Sequence, residues 1–168
     1  MDYTDHIDPN NHRTSNLRGY VGSLRSLFAQ IDELEPKRRA GTLTPVERVT
    51  LANLLLQIGR VVEAAQLVRP IADSASNPAE LQVLAQIFIA AHMDADAEKV
   101  LQKFLRAEPN KSTDMWLELA KIQHRAGRKT AAQQSFVAAY KIDANAVFAK
   151  LQRDQELFEI AAPLFKRK

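Results

Sequence analysis

One spacing recurs three times along this chain and constrains it more than any other feature. Leu51-Ala52, Leu84-Ala85 and Leu119-Ala120 are large-small pairs. Each is followed by a turn residue (Gly59, His92, Gly127), a second small residue (Ala64, Ala97, Ala132) and a bulky one (Val68, Leu101, Phe136). Every step from the first set to the second is 33 residues, and every step from the second to the third is 35. Inside each set the second alanine lies 12 residues after the first, and the bulky residue 16 after it. The length variation therefore falls in the links between units, as expected of rigid hairpins joined by tolerant loops. Small residues 12 apart let two antiparallel helices approach closely, and the bulky residue one turn further fills the gap. The turn between them favours positive φ, which glycine adopts freely and histidine tolerates better than most side chains.

Start signals fall where this register needs them. Thr44-Pro45-Val46-Glu47 offers an N-cap threonine, proline at the first helical position and glutamate at the third. Asn77-Pro78-Ala79-Glu80 repeats the signal one unit later. Upstream, Leu17, Tyr20, Val21, Leu24, Leu27, Phe28, Ile31 and Leu34 recur at three- and four-residue steps, which predicts an amphipathic helix over 15–36 ending near Pro36. Gly19 and Gly22 weaken it by about 1 kcal/mol each, so it needs a packing partner. Residues 1–14 are polar and read as a loose arm. Downstream, Asp143-Ala144-Asn145 opens a further helical stretch over 145–168, with a break near Asp154 as one option. Its apolar side (Val147, Phe148, Leu151, Leu157, Phe158, Phe165) suits a helix that ends a repeat stack.

The set of positions resembles the tetratricopeptide repeat. Trp116, Leu119-Ala120, Gly127, Ala132, Phe136 and Ala139 follow the family pattern in the third unit; Leu81, Leu84-Ala85, Phe88, Ala97, Leu101 and Pro109 follow it in the second. The first unit departs with Arg48 at a bulky position, and the third with Gln123 at an aromatic one and Ala144 at the proline. The resemblance covers 45–144 and implies an all-α, right-handed superhelix of three units, 45–77, 78–112 and 113–144, with a flanking helix at each end. It also implies a ligand surface on the concave side, lined by the first helix of each unit. Mapped here, that face carries Val46, Val49, Asn53 and Leu56, then Gln82, Val83, Gln86 and Ile89, then Asp114, Leu117, Glu118, Lys121, His124 and Arg125. It grades from apolar to charged. Some family members clamp a partner's terminal carboxylate with cations on this face, but Asp114 and Glu118 stand where cations belong, which argues against that mode. The expected partner is a protein or peptide, held by a non-catalytic scaffold.

A second resemblance concerns the N-terminus. Asp8-Pro9-Asn10, Asn16-Leu17-Arg18 and Phe28 look similar to the segment that joins the membrane part to the helical-repeat tail in some large bacterial multi-pass, glycosyltransferase-like proteins. It implies that this chain is the soluble accessory tail of a larger protein.

Other chemistry finds little footing. The chain has no cysteine and five glycines, none of them in a phosphate-cradling loop or a nucleophile elbow. The lack of cysteine suits a reducing compartment such as the cytoplasm. No run of about 18 apolar residues is present to span a membrane. The 23 basic and 20 acidic residues are interspersed, not gathered on a face for nucleic acid. Lys37-Arg38-Arg39 is dense but sits beside Glu33 and Glu35; Lys166-Arg167-Lys168 is the other dense cluster. His6 and His12 lie among Asp2, Asp5 and Asp8, yet a loose arm gives a metal no fixed geometry. His92 reads as a turn residue, His124 as an exposed helical one, and Trp116 as core. No enzyme, cofactor or metal site is expected. The stripe over 17–34 has two possible covers besides the outer stack: the concave groove, or a second copy of the chain as a homodimer.

Overall fold

The computed structural model describes residues 12–165, with side chains described from Gly19 onward. Among these residues it is all-α. Three helical hairpins follow one another: α2 (Pro45–Gln57) with α3 (Val61–Val68), α4 (Pro78–Ala90) with α5 (Asp94–Ala107), and α6 (Thr113–Arg125) with α7 (Lys129–Ile142). They are preceded by α1 (His12–Ala40) and followed by α8 (Ala144–Leu151) and α9 (Gln155–Phe165). Within the stack, α4 packs on both α2 and α3, and α6 packs on α5.

The local chemistry is that of the repeat register. Thr44 Oγ1 accepts from the Glu47 amide at 3.2 Å while Glu47 Oε2 accepts from the Thr44 amide at 2.9 Å, closing a capping box at the start of α2. Asn77 caps α4 by accepting from the Ala79 amide, and Ser112 caps α6 by accepting from the Met115 amide. The three turns each take a left-handed residue: Gly59 at φ 79°, His92 at φ 54° and Gly127 at φ 75°. Ala52, Ala64, Ala85, Ala97, Ala120 and Ala132 are fully buried between the paired helices, so each alanine pair 12 apart sits at a close helix approach.

Two positions of the third unit, one off the repeat pattern and one on it, have distinct outcomes. Gln123, at the aromatic position, is buried and its Oε1 accepts a 2.8 Å hydrogen bond from Ser135 Oγ, equally buried, on α7. A polar pair thus replaces an aromatic ring, and neither partner is left unsatisfied. Trp116 is half-buried, and its indole N–H donates to the Pro109 carbonyl at 2.7 Å, tying α6 to the link before it.

The N-terminal flanking region differs from expectation. α1 does not stop near Pro36 but runs on to Ala40, and its first turn reaches back to His12 in the stretch read as a loose arm. Its end is set by Gly41 at φ 70°, whose amide donates to Arg38 O while the Thr42 amide donates to Lys37 O. Proline at position 36 removes one helical hydrogen bond. Ion pairs hold the turn beyond it: Lys37 with Glu47, and Arg38 with Glu35 and Glu63. Only the C-terminal half of α1 is packed. Ile31 and Leu34 are buried and Leu27 rests on the core, while Tyr20, Val21 and Phe28 are exposed. Residues 1–11, with His6 and the candidate metal cluster, lie outside the described residues, as does Lys166-Arg167-Lys168.

At the other end the helical stretch expected over 145–168, with a break near Asp154 as one option, is two helices, broken at 152–154. Asp143 caps α8 and Asp154 caps α9, each carboxylate accepting from an amide three residues on. The last helix packs on both α6 and α7, as α4 does on α2 and α3, so it takes the place of a fourth first-helix. Leu157, Ile160 and Ala161 of α9 are buried with Leu117, Phe136, Ala139 and Val147, forming a second core cluster beside the main one.

Candidate functional site

The first-helix face expected to bind a partner separates into an open half and a closed half. In the open half, Val46, Val49 and Val83 come together with Thr50, Asn77, Ala79 and Glu80 in a cleft of about 330 Å³ between α2 and α4. Val46 is 75% exposed, and Val49 and Val83 are half-buried. Leu56 and Ile89 are half-buried against the core further along the two helices, Gln82 is half-buried and Gln86 exposed. Proline at the first position of both helices places Val46 and Ala79 at the rim of this cleft, one residue inside each helix start. Among the described side chains, none from α1 lines it.

Asn53 goes elsewhere. It faces a second, larger cleft of about 960 Å³ between α1 and α2, lined also by Tyr20, Leu24, Leu27, Leu54 and Gln57. The α1 stripe lying in the groove is one of the options the sequence leaves open, and here it forms a wall beside Asn53. Which side of α2 the stripe stands on depends on the angle between α1 and α2 at the Gly41 turn.

The closed half belongs to α6. Leu117, expected to line the groove, is 1% exposed and sits in the core under α9. Around it every charged residue of the face is engaged. Lys121 Nζ lies 2.8 Å from Glu118 and 3.4 Å from Asp154. Arg125 reaches Asp94 at 2.8 Å on one side and Glu156 at 3.0 Å on the other. His124 faces Glu159 at 3.6 Å, and Asp114 pairs with Lys150 at 2.9 Å. Burial works against the Lys121 charge, yet its bonds to Glu118 and Asp154 together outweigh that cost and hold its pKa above the usual lysine value. The bond to Asp94 raises the Arg125 pKa, and the same bond pulls the Asp94 carboxyl below its usual range. A signal for this closure was present. Asp154 lies 33 residues after Lys121 and Glu159 lies 35 after His124, so acids follow these cations at about one unit's length.

Similar ties lock the stack internally. Arg128 reaches Glu98 at 2.6 Å, Arg69 reaches Asp96 at 3.4 Å, and Lys103 Nζ donates to Asp73 O at 2.6 Å. At the head of the stack, Glu47 accepts from Lys37, from the Thr44 amide and from the Thr44 hydroxyl, which holds its pKa at about 2. Among the described residues no three His, Asp or Glu side chains gather to hold a metal ion, and no helix is long and apolar enough to cross a membrane.

No protein-family model and no curated protein sequence matches this chain. Solved structures do. A crystal structure of MamA superposes with a TM-score of 0.63 at 12% identity, over 96% of this chain and 88% of that one. MamA MSR-1 C2 gives 0.57 at 19% identity, over 83% and 94%, and MamA AMB-1 gives 0.56 at 18%, over 88% and 94%. At these identities the likeness is one of fold: the chain has the all-α, helical-repeat architecture over nearly its whole length. Nothing in these likenesses supports the second resemblance.

Proposed function

We propose that this protein is a non-catalytic interaction scaffold that receives a helix or extended segment of a partner protein on the face formed by α2 and α4. The observation that carries the reading is the apolar cleft of Val46, Val49 and Val83, among whose described lining residues none comes from α1 or α9. Covering a few hundred Å² of such surface offers several kcal/mol, at about 25 cal/mol per Å², before the costs of association. Glu80 and Thr50 in the lining of the cleft give a segment polar contacts that fix its direction. Lys121, His124 and Arg125 support the site indirectly, because their ion pairs hold α9 on α6 and so set where the open half ends. The partner surface is thus narrower than the sequence suggested, and centred on the first two units.

The test is a photo-crosslinking amino acid placed at Val83 and, separately, at Val62. Val62 is exposed on α3, on the second helix of its hairpin. Capture of the same partner from Val83 and not from Val62, abolished by Val49→Asp, is the expected result. Equal capture from both positions removes the α2–α4 face as the site.

A further inference from the structure

The last helix does not finish the stack as a polar cap does. In the repeat register Ile160-Ala161 of α9 stands where Leu119-Ala120 stands in α6, and all four residues are buried. The position three before that alanine, and those one and four after it, are Leu117, Lys121 and His124 in α6. There they receive the next helix: Leu117 is buried with α9, Lys121 pairs with Asp154 and His124 faces Glu159. In α9 the same positions are Phe158, Ala162 and Phe165. The two rings are 53% and 58% exposed, Ala162 is half-buried, and no further helix lies over them among the described residues. An end helix that met only water would carry polar side chains there.

The stripe reads alike in both directions. One large residue stands four positions before Ala162 and another three after it, on one face of the helix. A two-fold axis at Ala162 therefore sets Phe158 of each copy against Phe165 of the other when two such helices run antiparallel. The alanines meet on the axis, where small side chains let the backbones approach. Beside Phe158 lies a cleft of about 490 Å³, walled by Phe148, Leu151 and Phe158 itself, with room for the incoming ring. Tyr140 steadies one wall, meeting Phe148 edge to face at 5.7 Å between ring centres. The acids along α9 are engaged within the chain, Asp154 with Lys121, Glu156 with Arg125 and Glu159 with Gln155, so closing the face strands none of them. Tyr140, Phe148, Phe158 and Phe165 leave roughly 400 Å² of aromatic surface bare per copy, about half of what a standard interface buries on each partner.

We propose that the α9 end of the stack is the interface of a two-fold homodimer, in which α9 packs antiparallel on α9 and Phe165 of each copy seats between Phe148 and Phe158 of the other. The modest area sets a modest strength, with a Kd on the order of 10 µM. The surface is separate from the α2–α4 cleft, which the dimer carries twice. It is also separate from the exposed stripe of α1, the other face through which two copies could pair.

The experiment is sedimentation velocity on the full chain, over concentrations from about 1 to about 300 µM to bracket that Kd. The chain should pass from monomer to dimer and stop there, because a two-fold contact closes on itself. Phe158→Asp combined with Phe165→Asp should weaken the dimer by roughly tenfold or more, and Phe28→Asp on α1 should leave it unchanged. These variants replace exposed side chains, and circular dichroism checks that they keep the fold. The chain has no cysteine, so Ala162→Cys supplies a single thiol at the axis, within disulfide reach of its counterpart. Under mild oxidation it should cross-link roughly tenfold faster than Val62→Cys, placed at an exposed position of α3. The proposal is overturned if the chain stays monomeric throughout, or if assembly grows past the dimer as head-to-tail stacking would. It is also overturned if Phe28→Asp abolishes the dimer while the α9 pair does not, or if Ala162→Cys cross-links no faster than Val62→Cys. None of these outcomes bears on capture from Val83, so the α2–α4 reading stands or falls separately.

Discussion

Val49 and Leu117 occupy the same place in the repeat register, three residues before their unit's alanine, and they have opposite fates. Val49 is half-buried at an open cleft; Leu117 is 1% exposed beneath α9. The same holds for Asn53 against Lys121, and for Leu56 against His124. Each member of the first pair borders open surface or the core of its own unit, and each member of the second is covered or ion-paired by α9. A position in a repeat thus specifies a direction in space. The neighbour met in that direction decides whether the side chain binds, packs or is neutralised.

Truncating the two residues should separate them most sharply. Leu117→Ala should cost about 2–5 kcal/mol of unfolding free energy, because it leaves a cavity between α6, α7 and α9. Val49→Ala should cost no more than about 1 kcal/mol, because its site is open to water. Urea denaturation of both variants measures the gap, and similar costs would mean that α9 does not cover α6 in solution.

The next contrast sets the buried polar pair against the apolar core around it. Ser135→Ala should cost about 1–3 kcal/mol, since it strands the buried Gln123 amide. Combining it with Gln123→Leu should restore most of that loss. A double-mutant cycle by denaturation reads the coupling directly.

Arg125 tests whether the ion pairs around α9 or its apolar side hold it down. Arg125→Ala removes the bridge from Asp94 to Glu156, but the side chain is 42% exposed and water screens the pairs. The expected loss is at most about 1 kcal/mol. Faster amide exchange over 155–165 with little change in global stability would show that the charges position α9 while Leu157 and Ile160 anchor it.

The turns give a smaller effect and a change of sign. His92 holds φ 54° where the other two hairpin turns use glycine. His92→Gly should stabilise by about 0.5 kcal/mol, relief of left-handed strain being offset by the looser unfolded chain. Gly59→Ala and Gly127→Ala should each destabilise by about 1 kcal/mol. Thermal melts of the three variants check the signs.

At the head of the stack the contrast becomes one of pH. The Glu47 carboxyl is held at about 2, below its usual value of 4.5, by Lys37 and Thr44. A carboxyl whose folded pKa is depressed contributes stability that is fully present above the unfolded value and is lost as pH falls. The contribution of the capping box should therefore fade between pH 4.5 and about 2, and Glu47→Gln should remove that part of the acid sensitivity. Carbon-detected titration of the Glu47 carboxyl checks it.

The sequence by itself determined the hairpins of this protein. Helix starts, turn residues and the alanine pairs 12 apart are local, and each depends on chain geometry within one unit: a cap needs an amide three residues away, and a close helix approach needs two small side chains at a set spacing. Tertiary structure alone decided what happens between and beyond units. Whether α1 stands in the groove or beside it follows from its angle at Gly41. Whether 145–168 is one helix or two follows from Asp154 capping a new helix that can then bury Leu157 and Ile160 over Leu117. The closure of half the expected binding face comes from contacts between residues more than 30 positions apart, such as Lys121 with Asp154. The sequence shows that those charges exist at repeat spacing, but only packing fixes the distance that makes them partners, since Coulomb attraction depends on separation in space and the repeat step gives separation along the chain.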